Sequence, residues 1–414
     1  MSNATATIDD PISAAQVRVV ALCVLATLIE GIDLTLIPLL APRIMKAWEV
    51  SPATFGIILS SGPIGLIVGG VSIGYFADRI GRRNALIGAM VLMTVATLAT
   101  TLATNVPQLL FWRLVSGISF GGVIPVAVAL VSESLPLRVR ASVLAFVFLG
   151  QAGGGLLAAL LLKLPMAAGP WQTPVLYVGG GCAAVTVLLM AMLPESPRYL
   201  SLSGPRNRLR DLFSAGRATG TSLLWAMFIG VCFVVSFFTN WLTLILTHAG
   251  KPTEIGVDAI AFYSAGAMFG GLVLPLFTRR WHVNKVLLAS IIAAVLSCVC
   301  MGLVLASSNT LILAVATVCG VFVSGAFFLL YPPAARFYPT HMRSTGIGSA
   351  VAFGRIGNML SPAAAGFMLG AGMQPSTVFF AIAMPMVLSC VALVAFHRLT
   401  GADESPEDAG PTHH

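Results

Sequence analysis

Charge is scarce in this chain: 9% of its 414 residues are Asp, Glu, Lys or Arg, against 57% that are hydrophobic. Soluble globular domains carry roughly 25% charged residues, so there is too little polar surface here for a fold that lives in water. Acidic groups are the scarcer kind, 15 against 23 basic, leaving a net charge of +8. The basic residues sit in short clusters between apolar runs, which is a pattern of membrane topology and excludes a continuous nucleic-acid-binding face. No GxxxxGK[ST] loop occurs, so nucleotide hydrolysis is excluded and any uphill transport must draw on an ion gradient. The seven cysteines (Cys23, Cys182, Cys232, Cys298, Cys300, Cys319 and Cys390) lie in apolar stretches without a CxxC pair or clustered histidines. A zinc or redox motif is thereby excluded, and they read as small hydrophobes. No nucleophile–base pair or metal-ligand set falls in any span, so neither an enzyme nor a cofactor is expected. The first sixteen residues are polar, with Asp9 and Asp10, and lead into a full-length span, so no cleavable signal is expected.

What fills the chain is apolar runs of membrane-crossing length, about 20 residues each. Twelve are expected, near 17–41, 53–77, 84–104, 107–131, 141–163, 172–193, 221–247, 256–278, 284–305, 309–331, 342–369 and 375–397. The fold class is therefore an all-α membrane protein of two pseudo-symmetric six-helix bundles. The expected divisions are 1–193 and 221–398 for the bundles, 194–220 for a cytoplasmic linker with five arginines, and 399–414 for a disordered acidic tail. With both termini inside, seventeen Arg and Lys fall in cytoplasmic segments and four (Arg43, Lys46, Lys163, Lys251) in outer ones, a strong positive-inside bias. The two bundles also echo each other. "ESLPLRVRASVLAFVFLGQAGG" from Glu133 aligns without gaps on "RFYPTHMRSTGIGSAVAFGRIG" from Arg336, matching Pro136 to Pro339, Arg140 to Arg343 and Gly154 to Gly357 at one offset. A same-orientation repeat of half the chain leaves such a trace.

The two remaining basic residues, Arg113 and Arg355, lie inside spans, as do Glu30 and Asp33 in the first span, "LCVLATLIEGIDLTLIPLLAP". A charge at the bilayer centre costs at least ~2.5–3.5 kcal/mol, so each of these needs a reason. Spacing i, i+3 puts Glu30 and Asp33 near one helix face. Asp33 lies about 13 Å and Arg113 about 9–10 Å inside the outer surface at 1.5 Å per residue, so the two can meet. Arg355, about 18 Å beyond Arg343, sits near the midplane. Its guanidinium suits a carboxylate, whether protein or substrate. Asp33 and Glu30 are the candidates for proton coupling. Arg355, Arg113, Asn240, Trp241, Tyr331 and Phe120 are the candidates for substrate binding, Asn240 because an amide inside a span needs a partner. At the cytoplasmic side Asp78, Arg82, Arg83, Glu133, Arg140 and Arg343 are expected to form an inner gate latch, a plain helix-end charge cluster being the alternative.

Several motifs carry a family resemblance. "GYFADRIGRRNAL", with Gly74, Asp78, Arg79, Gly81, Arg82 and Arg83, resembles the G-x-x-x-D-R-x-G-R-[RK] loop of the major facilitator superfamily, and "RLVSGISFGG" from Arg113 resembles its R-x-x-x-G-x-G signature. Within it, "EGIDL" in the first span and "FYPTHMRSTGIGSAVAFGRIGNMLSP" in the eleventh are similar to the aromatic acid:proton symporters. "SLLWAMFIGVCFVVSFFTNWLTLIL" is similar to the seventh span of the hydroxyphenylpropionate-type members. Glu30 stands where many members have Asp. The second-half loop "FTRRWHVNK" has no counterpart of Asp78. The resemblance implies the major facilitator fold in a bacterial inner membrane. It implies inward symport of a benzoate-, hydroxybenzoate- or phenylpropionate-like anion with a proton, with Asp33, Arg113 and Arg355 at motif positions. Small aromatic acid, protons and lipid are the expected partners, nucleic acid is not, and the chain is expected to act as a monomer. The alternatives are a sugar or polyol porter, a drug:proton antiporter, and a transporter-like sensor. The fifth-span "GQAGGG" has no Gly-Pro pair typical of drug antiporters.

Overall fold

A computed structural model describes residues 13–195, 212–214, 216–339 and 342–401; side chains at 78, 137, 138, 141, 142, 166 and 344 lie outside the described set. All described regular structure is helical. The order is α1 (Ala14–Leu39), α2 (Ala41–Trp48), α3 (Pro52–Ile80), α4 (Arg82–Thr100), α5 (Val106–Ser134), α6 (Leu137–Leu161) and α7 (Gln172–Met192). There follow α8 (Ala218–His248), α9 (Thr253–Phe277), α10 (Val283–Val304), α11 (Asn309–Cys319), a π-turn (Gly320–Ser324), α12 (Gly325–Leu329), α13 (Tyr331–Phe337), α14 (Arg343–Gly370) and α15 (Pro375–Gly401).

Among the described residues eleven helical stretches are long and apolar enough to cross a membrane, including Asn309–Phe337 taken as one. The twelfth expected span is α14, 28 residues long, which carries Arg355, Asn358 and six glycines and so falls short on apolar content while exceeding the length. Small boundary corrections follow from the helices themselves. The tenth span continues beyond 331 to Phe337 through a π-turn, 218–220 of the expected linker open α8, and 399–401 of the expected tail close α15. Linker residues 196–211 and tail residues 402–414 lie outside the described residues.

Helix starts follow the local chemistry. Ser13 caps α1 in a reciprocal box with Gln16, and Ser51, Asn105 and Ser308 accept from the first turns of α3, α5 and α11, each satisfying a donor that the helix leaves orphaned. Lipid is as apolar as the side chains, so helices associate through close packing, and small residues let backbones touch. An added Cβ at Gly65 or Gly69 of α3 would meet the carbonyl oxygens of Leu114 or Ile118 on α5, and one at Gly117 would meet that of Gly62. Repeat-related Gly154 and Gly357 do the same job in different halves. Gly154 abuts the α1 backbone at Leu28 and Ile32, and Gly357 abuts the α8 backbone at Ile229 and Phe233. The repeat extends to polar contacts. Arg140 donates to Leu135 O at 3.0 Å and Arg343 to Tyr338 O at 3.5 Å, matching positions of the echo.

Proline inside α14 is repaired from outside. Pro362 has no N–H for the carbonyl of Asn358 four residues back, and the Ser236 hydroxyl of α8 donates to that carbonyl at 3.1 Å. Trp241 of α8 donates its indole N–H to the carbonyl of Pro362 at 3.1 Å. In lipid every backbone group must find such a partner.

The two halves meet along α3–α14, α6–α9 and α1–α8. The two ends of the bundle are distinguished by their arginines. At the arginine-poor end Gly370 lies over Ala53, Gly56 over Pro362 and Gly366, and Lys163 pairs with Asp258 across α6–α9. The α3–α14 seam ends where Gly70 touches Arg355. Further toward the arginine-rich end, a Cβ added at Gly74 or Gly348 would meet nothing within 4 Å, and Tyr75, Phe76 and Ile80 are exposed. Among the described residues the α3–α14 seam is thus tight at the arginine-poor end and loose at the other. Overpacking a tight seam costs about 1–3 kcal/mol or more. Gly69→Val is therefore expected to lower the thermal unfolding midpoint in detergent, and Gly74→Ala to leave it unchanged or raise it. Equal midpoints would mean that the α3–α5 seam relaxes freely.

Candidate functional site

Among the described residues two pairs of opposite charges lie deep inside the bundle. Asp33 Oδ2 and Arg113 Nη1 stand 3.9 Å apart, both side chains almost wholly buried, as depth counting along α1 and α5 predicts. Thr97 of α4 and Cys182 of α7 adjoin Asp33, so this pair sits inside the first half. Phe120 lies with it: the Arg113 guanidinium is 5.8 Å from its ring centroid, within the ~6 Å reach of a cation–π contact.

The second pair joins the halves. Glu30 of α1 is fully buried and neither of its carboxylate oxygens accepts a hydrogen bond from the described residues. Its opposite charge is Arg355 of α14. Arg355 in turn donates from Nη1 to the carbonyl of Leu66 on α3 at 2.8 Å. That carbonyl lies in the glycine-rich part of α3, where Gly70 on α3 and Gly121 on α5 permit the close approach. Tyr331 is a further electrostatic neighbour of Arg355. Around Tyr331 stand Phe228 of α8 at 5.8 Å, Phe327 at 5.7 Å and Phe148 of α6 at 6.2 Å, and Phe148 is 6.4 Å from Phe328. These are edge-to-face and tilted spacings that aromatic rings favour. The cluster brings a guanidinium, a carboxylate, a phenol and aromatic rings together at the level where the seam ends. It can hold an anion through Arg355, grip a flat apolar ring beside it, and exchange a proton at Glu30.

Other expected residues stand elsewhere. Trp241 is wholly buried in the core of the second half with its N–H bonded to Pro362, so it packs α8 against α14 instead of lining the Arg355 cluster. Asn240 is half-buried, and its amide nitrogen donates to Ser236 O at 2.8 Å, one turn back on its own helix. Phe238 stacks on Tyr263 at 5.2 Å, and the Tyr263 hydroxyl meets Ser324 in the π-turn at 3.0 Å. His248 is exposed at the end of α8.

The arginine-rich end holds the expected latch residues, and their described bonds stay inside each half. Arg82 of α4 pairs with Glu133 of α5, Nε to Oε1, at 3.6 Å. Arg83 donates to the carbonyls of Leu193 at 2.6 Å and Met190 at 2.7 Å, the C-terminal end of α7, where a cation also meets the helix dipole. Its backbone N–H is taken by Glu195 at 3.0 Å. Gly81, at φ +96°, lies so close to the Glu195 carboxylate that a Cβ would collide with it. Arg83, Arg140 and Arg343 therefore brace helix ends rather than bridge the two halves. The side chain of Asp78 lies outside the described residues. Sequence reasoning missed Phe228, Phe327, Cys232 and Gly70 around Arg355, Thr97 beside Asp33, and Glu195. Phe228 and Cys232 lie in the seventh-span stretch quoted above, whose likeness marks the span and not these two side chains.

A model of the Major Facilitator Superfamily matches residues 23–301 and 250–413. The chain belongs to that superfamily. It is similar to the 3-(3-hydroxy-phenyl)propionate transporter of Escherichia coli, at 34% identity over 90% of this chain and 92% of that one. The 4-hydroxybenzoate transporter PcaK of Pseudomonas putida is 29% identical over 95% of both chains. Among solved structures, the D-xylose-proton symporter superposes with a TM-score of 0.77 at 16% identity, covering 92% of this chain and 97% of that one, a likeness of fold. The protein is a multi-pass membrane transporter of this superfamily and not an enzyme.

Removing one partner of a buried ion pair costs about 3–5 kcal/mol because the other charge is stranded. Arg113→Gln is thus expected to destabilise strongly, and Asp33→Asn added to it to recover most of the loss. Thermal unfolding of the two single variants and the double variant measures the coupling. Additive effects would mean that the 3.9 Å pair contributes nothing.

Proposed function

We propose that the protein imports a small aromatic carboxylate together with a proton, by alternating access. The observation that carries this reading is the cluster at Arg355, in which one guanidinium faces both a buried carboxylate and a set of aromatic rings. The substrate carboxylate pairs with Arg355 in a bidentate manner, and its ring packs against Tyr331, Phe148 and Phe228. Glu30 and an incoming anion then compete for the same guanidinium, and protonation of Glu30 frees Arg355 for the substrate. Binding of anion and proton is coupled in this way without direct contact between them. Asp33, held by Arg113, is the second carboxylate able to carry a proton. Relatives named for hydroxyphenylpropionate, hydroxybenzoate, gallate and benzoate support the substrate class.

In this reading the arginine-rich end faces the cytoplasm of a bacterium, following the positive-inside bias, and the protein works as a monomer in the inner membrane. The structure then stands open inward. Asp78, Arg82 and Glu133 belong to the rim that closes when the arginine-poor seam parts, with Arg83, Arg140 and Arg343 keeping the helix ends stiff. Asn240 faces the substrate path only in a conformer where α8 has shifted.

Uptake of 3-hydroxyphenylpropionate or 4-hydroxybenzoate into proteoliposomes under an inward proton gradient is the test. Accumulation should collapse on adding an uncoupler. Glu30→Gln should abolish gradient-driven accumulation while sparing exchange of labelled for unlabelled substrate. Arg355→Gln should abolish both. Uptake indifferent to the uncoupler would overturn the coupling, and retention of both activities in Arg355→Gln would overturn the anion site.

A further inference from the structure

A groove of about 790 Å³ opens on the outer flank of the second half, between the end of α9, the start of α10 and the π-turn. Its floor is apolar, including Leu274, Phe277, Val286 and Phe322, and its rim at the arginine-rich end is Arg280, Trp281 and Lys285. The π-turn shapes it. Phe322 stands within Gly320–Ser324, and its carbonyl is met by Ser290 of α10 at 3.3 Å. The groove faces lipid, because Lys285 and Ala289 begin a stripe of exposed residues that continues through Ile292, Leu296 and Leu303 along one face of α10. From the start of α10 to Ala293, the groove's deepest residue on that helix, is ten residues, about 15 Å at 1.5 Å per residue and half the hydrocarbon thickness. Among the described residues neither Arg280 nor Lys285 forms an ion pair with a carboxylate. Among the described residues of the second half the only acidic ones are Glu254 and Asp258, at the opposite end of α9.

We propose that this groove holds an anionic phospholipid of the leaflet at the arginine-rich end, its headgroup phosphate on Arg280 and Lys285 and an acyl chain along Phe277, Val286 and Phe322. Basic side chains at the membrane surface attract anionic headgroups, and a floor of this depth and apolarity fits a hydrocarbon chain. The acidic segment 402–414 complements the rim but has no means of filling the floor. The proposed orientation serves only to name the leaflet as cytoplasmic; lipid binding itself stands apart from the transport reading.

The test uses tryptophan emission from the full chain in lipid nanodiscs without substrate. One of the six tryptophans, Trp281, sits on the rim, and its share of the emission is isolated by difference against Trp281→Phe. Dibrominated phosphatidylglycerol should quench that share in preference to dibrominated phosphatidylcholine, with an enrichment of about fivefold, the scale that a juxtamembrane basic residue confers. Arg280→Gln with Lys285→Gln should remove the preference, and Arg280→Lys with Lys285→Arg should keep it. Equal quenching by the two lipids, a preference that survives the neutral double variant, or one lost in the charge-preserving variant would each overturn the proposal. A preference that appears only after residues 402–414 are removed would overturn it too, by making the acidic segment the occupant.

Discussion

Arg355 is held by two things at once: the Glu30 charge on α1 and the Leu66 carbonyl on α3. Both lie on the other half of the molecule, so the guanidinium links the halves electrically inside the bundle, as the Lys163–Asp258 pair does at the arginine-poor end. An unpaired charge at this depth is costly, and in lipid nothing else is available to meet it. The arrangement of the bundle follows from that need. The glycines of α3 bring its backbone within reach of Arg355, and the Gly357 contact seats α14 against α8 so that the arginine points across the interface. The aromatic rings then fill the space that two converging helices would otherwise leave beside a charged group.

Asp33 and Arg113 form a contrasting pair. Their partners lie wholly within the first half, so their attraction is unaffected when the halves rotate against each other. One ion pair is therefore internal to a rigid body and the other lies across the moving boundary. A carboxylate on the boundary is the one whose surroundings would alter with conformation, which is why the proposed function gives proton coupling to Glu30.

Much of this was legible in the residues. A helix rises uniformly, so depth can be counted, and counting brought Asp33 to the level of Arg113 and Arg355 to the midplane. Rotation about the helix axis cannot be counted in the same way. Trp241 and Asn240 lie nine and eight residues beyond Cys232 on α8, about 12–14 Å along the axis, and Trp241 packs in the second-half core against Pro362, while Phe228 and Cys232 stand at the level of Arg355. The π-turn at Gly320–Ser324, which lies against α9 and α10, left no compositional trace. The loop arginines were recognisable as a group. Their individual bonds depend on which carbonyls the neighbouring helix ends present, as the hold of Arg83 on α7 shows.

Pro362 sits between Arg355 and the glycines that close the arginine-poor end of α14. With one main-chain bond missing and a hydroxyl from α8 in its place, the helix is weakened against bending here. The two stretches on either side can tilt by different amounts. Strain generated where a ligand meets the guanidinium need not be transmitted in full to the far closure, and the far closure can yield without dragging the arginine from its seat. Under the proposed function, a single imino acid would thus work as a mechanical fuse in the rod that joins recognition to opening.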